Sequence, residues 1–180
     1  MKHRSTEGFE QDYHAQIALD QASLLIVGVS LSNHPSDQHE AEPTLDSIPP
    51  DRELADAAAL DTGYFSEANS AALERREIEP YIATARDPHH PSWWERFAET
   101  PAPPADDASP KLKMAYKLKT AMGQAIYRLR KCTVEPVIGS IKEVIGFGQF
   151  WLRGEQAVTG EWCLVCLAFN LKRLHTLLAG

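Results

Sequence analysis

Two carboxylates in this chain stand where acid chemistry is possible. Asp61 follows an apolar run and begins a tight turn that contains Gly63. Open α/β sheets bind their ligands at the carboxyl ends of the strands, so the predicted position of Asp61 at a strand end favours a functional role. Glu135 and Lys142 are seven residues apart on a segment of helical period, which puts a carboxylate and a lysine on one face. This pairing could bind a metal ion and a phosphate, and its alternative is an ordinary solvated helix face. The alternative for Asp61 is a turn aspartate that bonds its own backbone.

The elements that must position Asp61 form a predicted βαβ unit. The Ala-rich run 51–60 leads into Asp61, and Ser66 is the predicted N-cap of a helix. A second short strand is predicted over 79–83. The order of strand, Asp-bearing turn, helix and strand indicates parallel pairing.

The segments before this unit predict a hairpin and a helix. Residues 13–20 and 23–32 are two β-rich runs with a very short link, which is typical of a β-hairpin. Residues 37–48 predict a helix interrupted near Pro43. Its carboxylates, Asp37, Glu40 and Glu42, are most simply a solvated helix face.

The segment that carries Glu135 and Lys142 predicts a helix beginning after residue 131. Thr133 is the predicted N-cap, and Pro136 is tolerated in a first turn because its missing N–H would be unpaired there. Apolar residues recur at steps of three and four, which predicts one buried face: Val134, Val137, Ile138, Ile141, Val144 and Ile145.

Composition indicates one globular domain with two oppositely charged halves. The chain has 180 residues, of which 43% are hydrophobic, and a net charge of −7. Residues 1–110 carry 7 Lys+Arg against 21 Asp+Glu, whereas residues 111–180 carry 11 against 4. A basic helical part on an acidic body suggests a polyanion partner, and solvated charged faces are the plainer alternative.

Several function classes are excluded at this stage. No run approaches the ~18 consecutive apolar residues of a membrane span, and no apolar segment typical of a secretory signal follows Met1. Three cysteines cannot form a disulfide framework, so a cytoplasmic location is expected. The pair Cys163 and Cys166 has zinc or redox spacing but lies in an apolar run, which favours core packing.

The proline-rich stretch 86–110 predicts an irregular surface loop, followed by a basic helical part over 111–180. Within this loop, His89 and His90 are more consistent with a surface or DNA-facing role than with a metal site. Trp93 and Trp94 indicate a loop anchor, with stacking on an unpaired base as the alternative.

Nearly the whole chain resembles the carboxyl-terminal part of the catalytic domain of DDE transposases of bacterial insertion sequences. The motif D-x-G-Y-F-S is present at residues 61–66. The motif Y-x-x-R and the following E-(six residues)-K are present as Tyr127, Arg130, Glu135 and Lys142.

The resemblance implies an α/β, RNase H-like fold over residues 1–180, with a mixed sheet flanked by helices. Three carboxylates of such a domain hold two Mg²⁺ (or Mn²⁺) ions for DNA strand cleavage and transfer. Asp61 would be the second carboxylate and Glu135 the third. Tyr127, Arg130 and Lys142 would hold phosphates of double-stranded transposon ends. The intact enzyme would be a homo-oligomer associated with the nucleoid.

The sequence also differs from the family pattern at several positions. The strand that bears the first carboxylate is expected to be missing, with Asp20 as a possible substitute. Ile145, Gly148, Thr159 and Phe169 stand where relatives tend to have basic or polar residues, and His14 stands where Asn is usual; fewer cations predict weaker DNA binding. A truncated transposase is therefore the leading interpretation. The alternatives are a non-catalytic DNA-binding or transposase-interacting remnant, and a metal-dependent nuclease without transposition.

Overall fold

A computed structural model describes residues 13–34, 36–53, 55–85 and 101–179. His89, His90, Trp93 and Trp94 lie outside these ranges, as does most of the predicted loop over 86–110. Residues 101–109, the remainder of that loop, contain no helix or strand.

A β-hairpin begins the described chain, as predicted. β1 (His14–Leu19) pairs antiparallel with β2 (Ile26–Ser32). Asp20 closes the turn, because its carboxylate accepts a hydrogen bond from the backbone N–H of Ser23 at 2.8 Å. The hydrogen bonds from Ser23, led by that from its hydroxyl, hold the pKa of Asp20 below its usual value. Asp20 is thus a turn-forming residue in this fold.

The predicted βαβ unit is confirmed. β3 (Ala57–Leu60) and β4 (Glu79–Ile82) are parallel, and α2 (Glu67–Glu74) lies between them in the chain. Ser66 caps α2 by accepting a hydrogen bond from Asn69 N at 3.1 Å.

The segment before this unit folds as a 3₁₀ turn (Asp37–His39) and a short α1 (Ala41–Asp46), which contains Pro43. α1 packs on β2 at Gly28, where a Cβ would lie 2.7 Å from the carbonyl oxygen of Thr44. A side chain at position 28 would therefore push α1 away from the hairpin.

Hydrogen bonding divides the described strands into two sheets. β1 pairs with β2 and β3 pairs with β4, and no strand of one pair bonds to the other pair within the described residues. The mixed α/β composition is confirmed, but the single mixed sheet expected from the resemblance is not formed by these four strands. Each strand has its ladder partner on one edge alone.

Three helices complete the described chain: α3 (Pro110–Lys119), α4 (Ala121–Glu143) and α5 (Glu155–Ala179). The prediction that a helix begins after residue 131 with Thr133 as its N-cap is wrong, because the N-cap of α4 is Thr120, thirteen residues earlier, whose hydroxyl accepts a hydrogen bond from Gly123 N at 3.1 Å. Pro136 consequently lies inside α4 rather than in its first turn. Thr133 is buried and donates to the carbonyl of Arg130 at 3.0 Å.

Two apolar cores hold these elements together. The first joins the hairpin to α4 and α5, and its buried members are Ile26, Leu31, Val137, Ile141, Val158, Trp162, Val165, Cys166 and Phe169. The second joins the βαβ unit to α3 through Leu73, Ile78, Ile82 and Met114. The predicted apolar face of α4 is buried at Val137 and Ile141, but Val144 is exposed because α4 ends at Glu143.

α5 differs from expectation in two respects. By length and composition alone, this helix is able to cross a membrane, and the core helices of water-soluble proteins meet the same criterion. The count of consecutive apolar residues in the sequence did not identify it. Of the two cysteines in this helix, Cys166 is buried as predicted and Cys163 is exposed. Burial, followed by the charge of Cys163, raises the pKa of the Cys166 thiol to about 12, so this sulfur is unsuited to redox chemistry near neutral pH.

Candidate functional site

Asp61 lies at the carboxyl end of β3, where the parallel pair β3–β4 presents its strand ends. Its carboxylate accepts a hydrogen bond from Thr62 N at 2.8 Å and so caps the 3₁₀ turn Thr62–Tyr64. The side chain remains 55% exposed. The structure therefore gives Asp61 a turn-capping role while leaving one carboxylate oxygen available to a partner.

Arg130 is that partner, although 69 residues separate the two in the sequence. α4 packs on β3, and the Nη1 of Arg130 lies 3.2 Å from the Oδ2 of Asp61. The guanidinium carbon also lies 5.4 Å from the ring centroid of Tyr127. The Nε of Arg130 is buried without a hydrogen-bond acceptor among the described residues. The structure thus brings together three residues of the two motifs: Asp61, Tyr127 and Arg130.

The turn after Asp61 is held by a polar network that sequence reasoning missed. The hydroxyl of Tyr64 donates to the Oε1 of Gln16, and the Nε2 of Gln16 donates to the Oδ1 of Asp37 at 3.0 Å. Gly63 faces the same carboxylate, because a Cβ there would lie 2.7 Å from the Oδ2 of Asp37. The buried Asn69 donates to the carbonyls of Gln38 and Tyr64 at 2.9 and 2.7 Å. Spacing gave no signal for these contacts between remote segments.

The interpretation of Asp37, Glu40 and Glu42 as a solvated face is wrong for the buried Glu40, whereas Glu42 is exposed as predicted. Glu40 is 3% exposed and lies 3.3 Å from the Nδ1 of His34, and Asp37 bonds Gln16. Glu42 pairs with Arg75 at 3.0 Å. α1 packs against β1, β2 and α2, so the acidic residues in it and just before it contact partners from other elements as well as water.

Tyr64 provides a prediction about pH. Burial, followed by the negative charges of Asp37, Glu40 and Asp61, raises its pKa well above the usual value. Because the folded state favours the neutral phenol, its contribution to stability is complete below about pH 10 and is lost as the pH rises further. The free energy of unfolding, measured with urea, should therefore be lower at about pH 11 than at about pH 8, and should fall by up to ~1.4 kcal/mol per pH unit above pH 10.

The matched variant for this prediction is Tyr64→Phe. It should be less stable than the wild type at about pH 8, because the hydrogen bond to Gln16 is lost, and should lose less stability on going to about pH 11. An equal alkaline loss in both proteins would show that Tyr64 does not carry the effect.

Glu135 and Lys142 share an exposed face of α4, as their spacing predicts. Neither side chain has a hydrogen-bond or ion-pair partner among the described residues. Glu135 follows Arg130 by five residues, which places it about 140° around the helix axis from the side that meets Asp61. Glu135 therefore lies on a different side of α4 from Arg130.

Lys142 lines a cavity of about 1160 Å³ between the start of β1, the end of α4 and the loop that leads to α5. Arg153 on that loop lines it as well, and Glu155 is the acidic residue in its wall. The apolar part of the wall is formed by Tyr13, Phe147, Phe150 and Trp162. Two exposed cations beside aromatic rings suit an anionic, partly planar ligand such as a nucleic-acid strand. Arg153 was not among the predicted site residues.

A divalent metal ion needs several carboxylate or imidazole donors close together. Within the described ranges, no three or more His, Cys, Asp or Glu side chains lie close enough together to hold one. Both oxygens of Asp61 are engaged, by Thr62 N and by Arg130. Asp20 is bound to Ser23 in the hairpin turn. The described residues therefore do not form the ligand set that the resemblance implies.

The site thus combines a carboxylate–arginine pair at a strand end with a basic helical part of the chain. Residues 105–175 match a family model described as a transposase DDE domain. This match supports the resemblance over those residues. It covers less than half of the chain and includes Tyr127, Arg130, Glu135 and Lys142, whereas Asp61 lies outside it. No curated protein matches the chain. No solved structure matches it either.

Proposed function

We propose that this chain acts in DNA transposition by binding the DNA ends of an insertion sequence. DDE transposases use divalent metal ions and act on the ends of mobile DNA, so the family match itself suggests transposition. The observation that carries the proposal is that the matched segment contains Lys142 and Arg153, two exposed cations that line one cavity.

Charge supports this assignment. The chain is acidic as a whole, but residues 111–180, which contain α3, α4 and α5, carry 11 Lys+Arg against 4 Asp+Glu. A basic region on an acidic protein concentrates attraction for a polyanion on one side. Lys142 and Arg153 would contact phosphates, which position DNA without reading its bases. Arg130, held by Asp61, and Tyr127 would extend this contact along α4.

Strand cleavage by this chain is the second candidate. Its support is the position of Asp61 at a strand end, together with the full spacing from Tyr127 to Lys142. Two Mg²⁺ or Mn²⁺ ions would activate the attacking water or 3′-hydroxyl and would stabilise the leaving oxygen. The described ligand set does not fit these ions, so DNA binding without cleavage is the function we propose.

A combined binding and cleavage assay separates the two candidates. The purified chain is incubated with supercoiled DNA and with a DNA duplex carrying insertion-sequence ends, in Mg²⁺ and in Mn²⁺. We expect retarded DNA on native gels and no nicking in either metal. Nicking that disappears in both Asp61→Asn and Glu135→Gln would overturn binding as the sole function and establish the enzyme. Absence of DNA retardation at low salt would overturn the proposal altogether.

A further inference from the structure

The Glu161 carboxylate on α5 holds the backbone of the segment that leads into that helix. The N–H of Trp151 donates to both carboxylate oxygens, at 2.9 and 3.1 Å, and the N–H of Leu152 donates to Oε2 at 3.0 Å. Residues 151–154 contain no helix or strand, so these N–H groups have no partner in regular secondary structure. Glu161 supplies the acceptors that secondary structure does not.

Arg153 lies between two residues whose backbone is held in this way. Leu152 is held by Glu161, and the N–H of Gly154 donates to the hydroxyl of Tyr13 at 3.2 Å. Gly154 has a φ of +86°, a conformation that residues with a side chain rarely adopt. The side chain of Arg153 makes no ion pair or hydrogen bond within the described part of the chain, and it lines the cavity. Its backbone is thus fixed while its guanidinium stays available to a ligand.

The position of Glu161 is itself fixed by the next residue along α5. Trp162 is 4% exposed in the first core, and its Nε1 donates to the carbonyl of Gln16 on β1. No cation pairs with the Glu161 carboxylate among the described residues, so the backbone N–H groups of residues 151 and 152 are its partners. Hydrogen bonds from backbone N–H groups to a carboxylate are charge-assisted and therefore strong. Glu161 consequently ties residues 151–154 to the rigid core.

We infer that Glu161 is a positioning residue for Arg153, and that it fixes this cation at the cavity for a DNA phosphate. The inference rests on the proposed DNA binding and adds to it a residue that touches no DNA. A segment without these bonds would have to be ordered when DNA binds, and that ordering opposes binding. Glu161 removes this cost by holding the backbone beside Arg153 before DNA arrives.

A carboxylate near a DNA contact has an opposite effect through its charge alone. It repels phosphates, so its removal would strengthen binding. Glu155 is the matched residue for this charge effect, because it lines the same cavity and its side chain has no hydrogen-bond or ion-pair partner among the described residues. Glu155→Gln and Glu161→Gln each remove one negative charge, but Glu161→Gln alone disturbs the bonds to residues 151 and 152. The direction of the change in affinity therefore separates positioning from charge.

Fluorescence anisotropy of the full chain with a labelled duplex, over a range of salt concentrations, tests the inference. Glu161→Gln should weaken binding, because the amide NH₂ replaces an acceptor oxygen opposite a backbone donor. Complete loss of the Arg153 contact lowers the slope of log K against log salt by ~0.9, which corresponds to roughly 8-fold at ~0.1 M salt when projected from ~1 M. Glu155→Gln should strengthen binding. In an Arg153→Ala background, Glu161→Gln should cause no further loss.

Glu161→Asp is the second variant. It keeps the charge but draws the carboxylate back by one methylene group, so it should weaken binding as well. Circular dichroism and urea unfolding show whether each variant is folded in the assay, and Glu161→Asp decides the matter if Glu161→Gln is not.

Three results overturn the inference. The first is a folded Glu161→Gln protein that binds DNA as tightly as the wild type, or more tightly as Glu155→Gln should. The second is an equal loss of affinity with and without Arg153, which would show a general effect on the fold. The third is a wild type that does not bind DNA, which overturns the proposed function and this role together. The first two leave the proposed function standing.

Discussion

Replacing Trp162 by alanine is expected to lower the free energy of unfolding by about 3–5 kcal/mol. Trp162 is 4% exposed, and its indole packs between α5, the hairpin and the loop before α5. Its Nε1 donates to the carbonyl of Gln16 at 3.2 Å. The ring centroids of Phe147 and Phe150 lie 6.1 and 6.2 Å from the ring centroid of Trp162. Truncation leaves a cavity and an unpaired β1 carbonyl, and each of these is costly inside a core.

Urea unfolding followed by circular dichroism measures this loss, and Trp151→Ala is its matched control. Trp151 is 78% exposed, and its backbone N–H bonds to Glu161 survive the substitution, so its effect should stay within about 0.5 kcal/mol. Similar losses in both variants would contradict the packing described for Trp162. Because Trp162 also lines the cavity beside Lys142 and Arg153, Trp162→Ala should weaken DNA binding too.

Removing both cavity cations should produce the largest loss of DNA affinity. If each contacts one phosphate, Lys142→Ala/Arg153→Ala reduces the slope of log K against log salt by about 2. Projected from ~1 M salt, where counterion release contributes nothing, this change corresponds to a loss of up to roughly 60-fold at ~0.1 M salt. Fluorescence anisotropy with labelled duplex over a range of salt concentrations gives both quantities.

Lys172→Ala is the control for this experiment. Lys172 is exposed on α5 and lines a separate cavity near the end of that helix. Its replacement removes one positive charge, as each cavity substitution does, but leaves the proposed DNA contact intact. If Lys172→Ala lowers the slope of log K against log salt by as much per charge removed as Lys142→Ala/Arg153→Ala does, DNA is attracted to the basic part in general. This result would contradict a DNA contact at the cavity.

The local elements of this fold follow from the sequence alone. The hairpin over 13–32, the βαβ order around Asp61 and the cap at Ser66 were all predicted and are all present. Alternating apolar residues, turn aspartates and serine caps act over a few residues, so sequence patterns record them directly. The resemblance to DDE transposases also follows from the sequence, because its motifs keep fixed spacing within single segments.

The tertiary structure decided what joins remote segments. It paired Asp61 with Arg130, buried Glu40 and bound Gln16 to Tyr64. It also divided the apolar residues of α5 between the first core and the exposed surface, a division that hydrophobicity alone does not predict. These outcomes depend on which helix face packs on which strand. That choice is made by the summed packing of distant residues, and no local spacing encodes it.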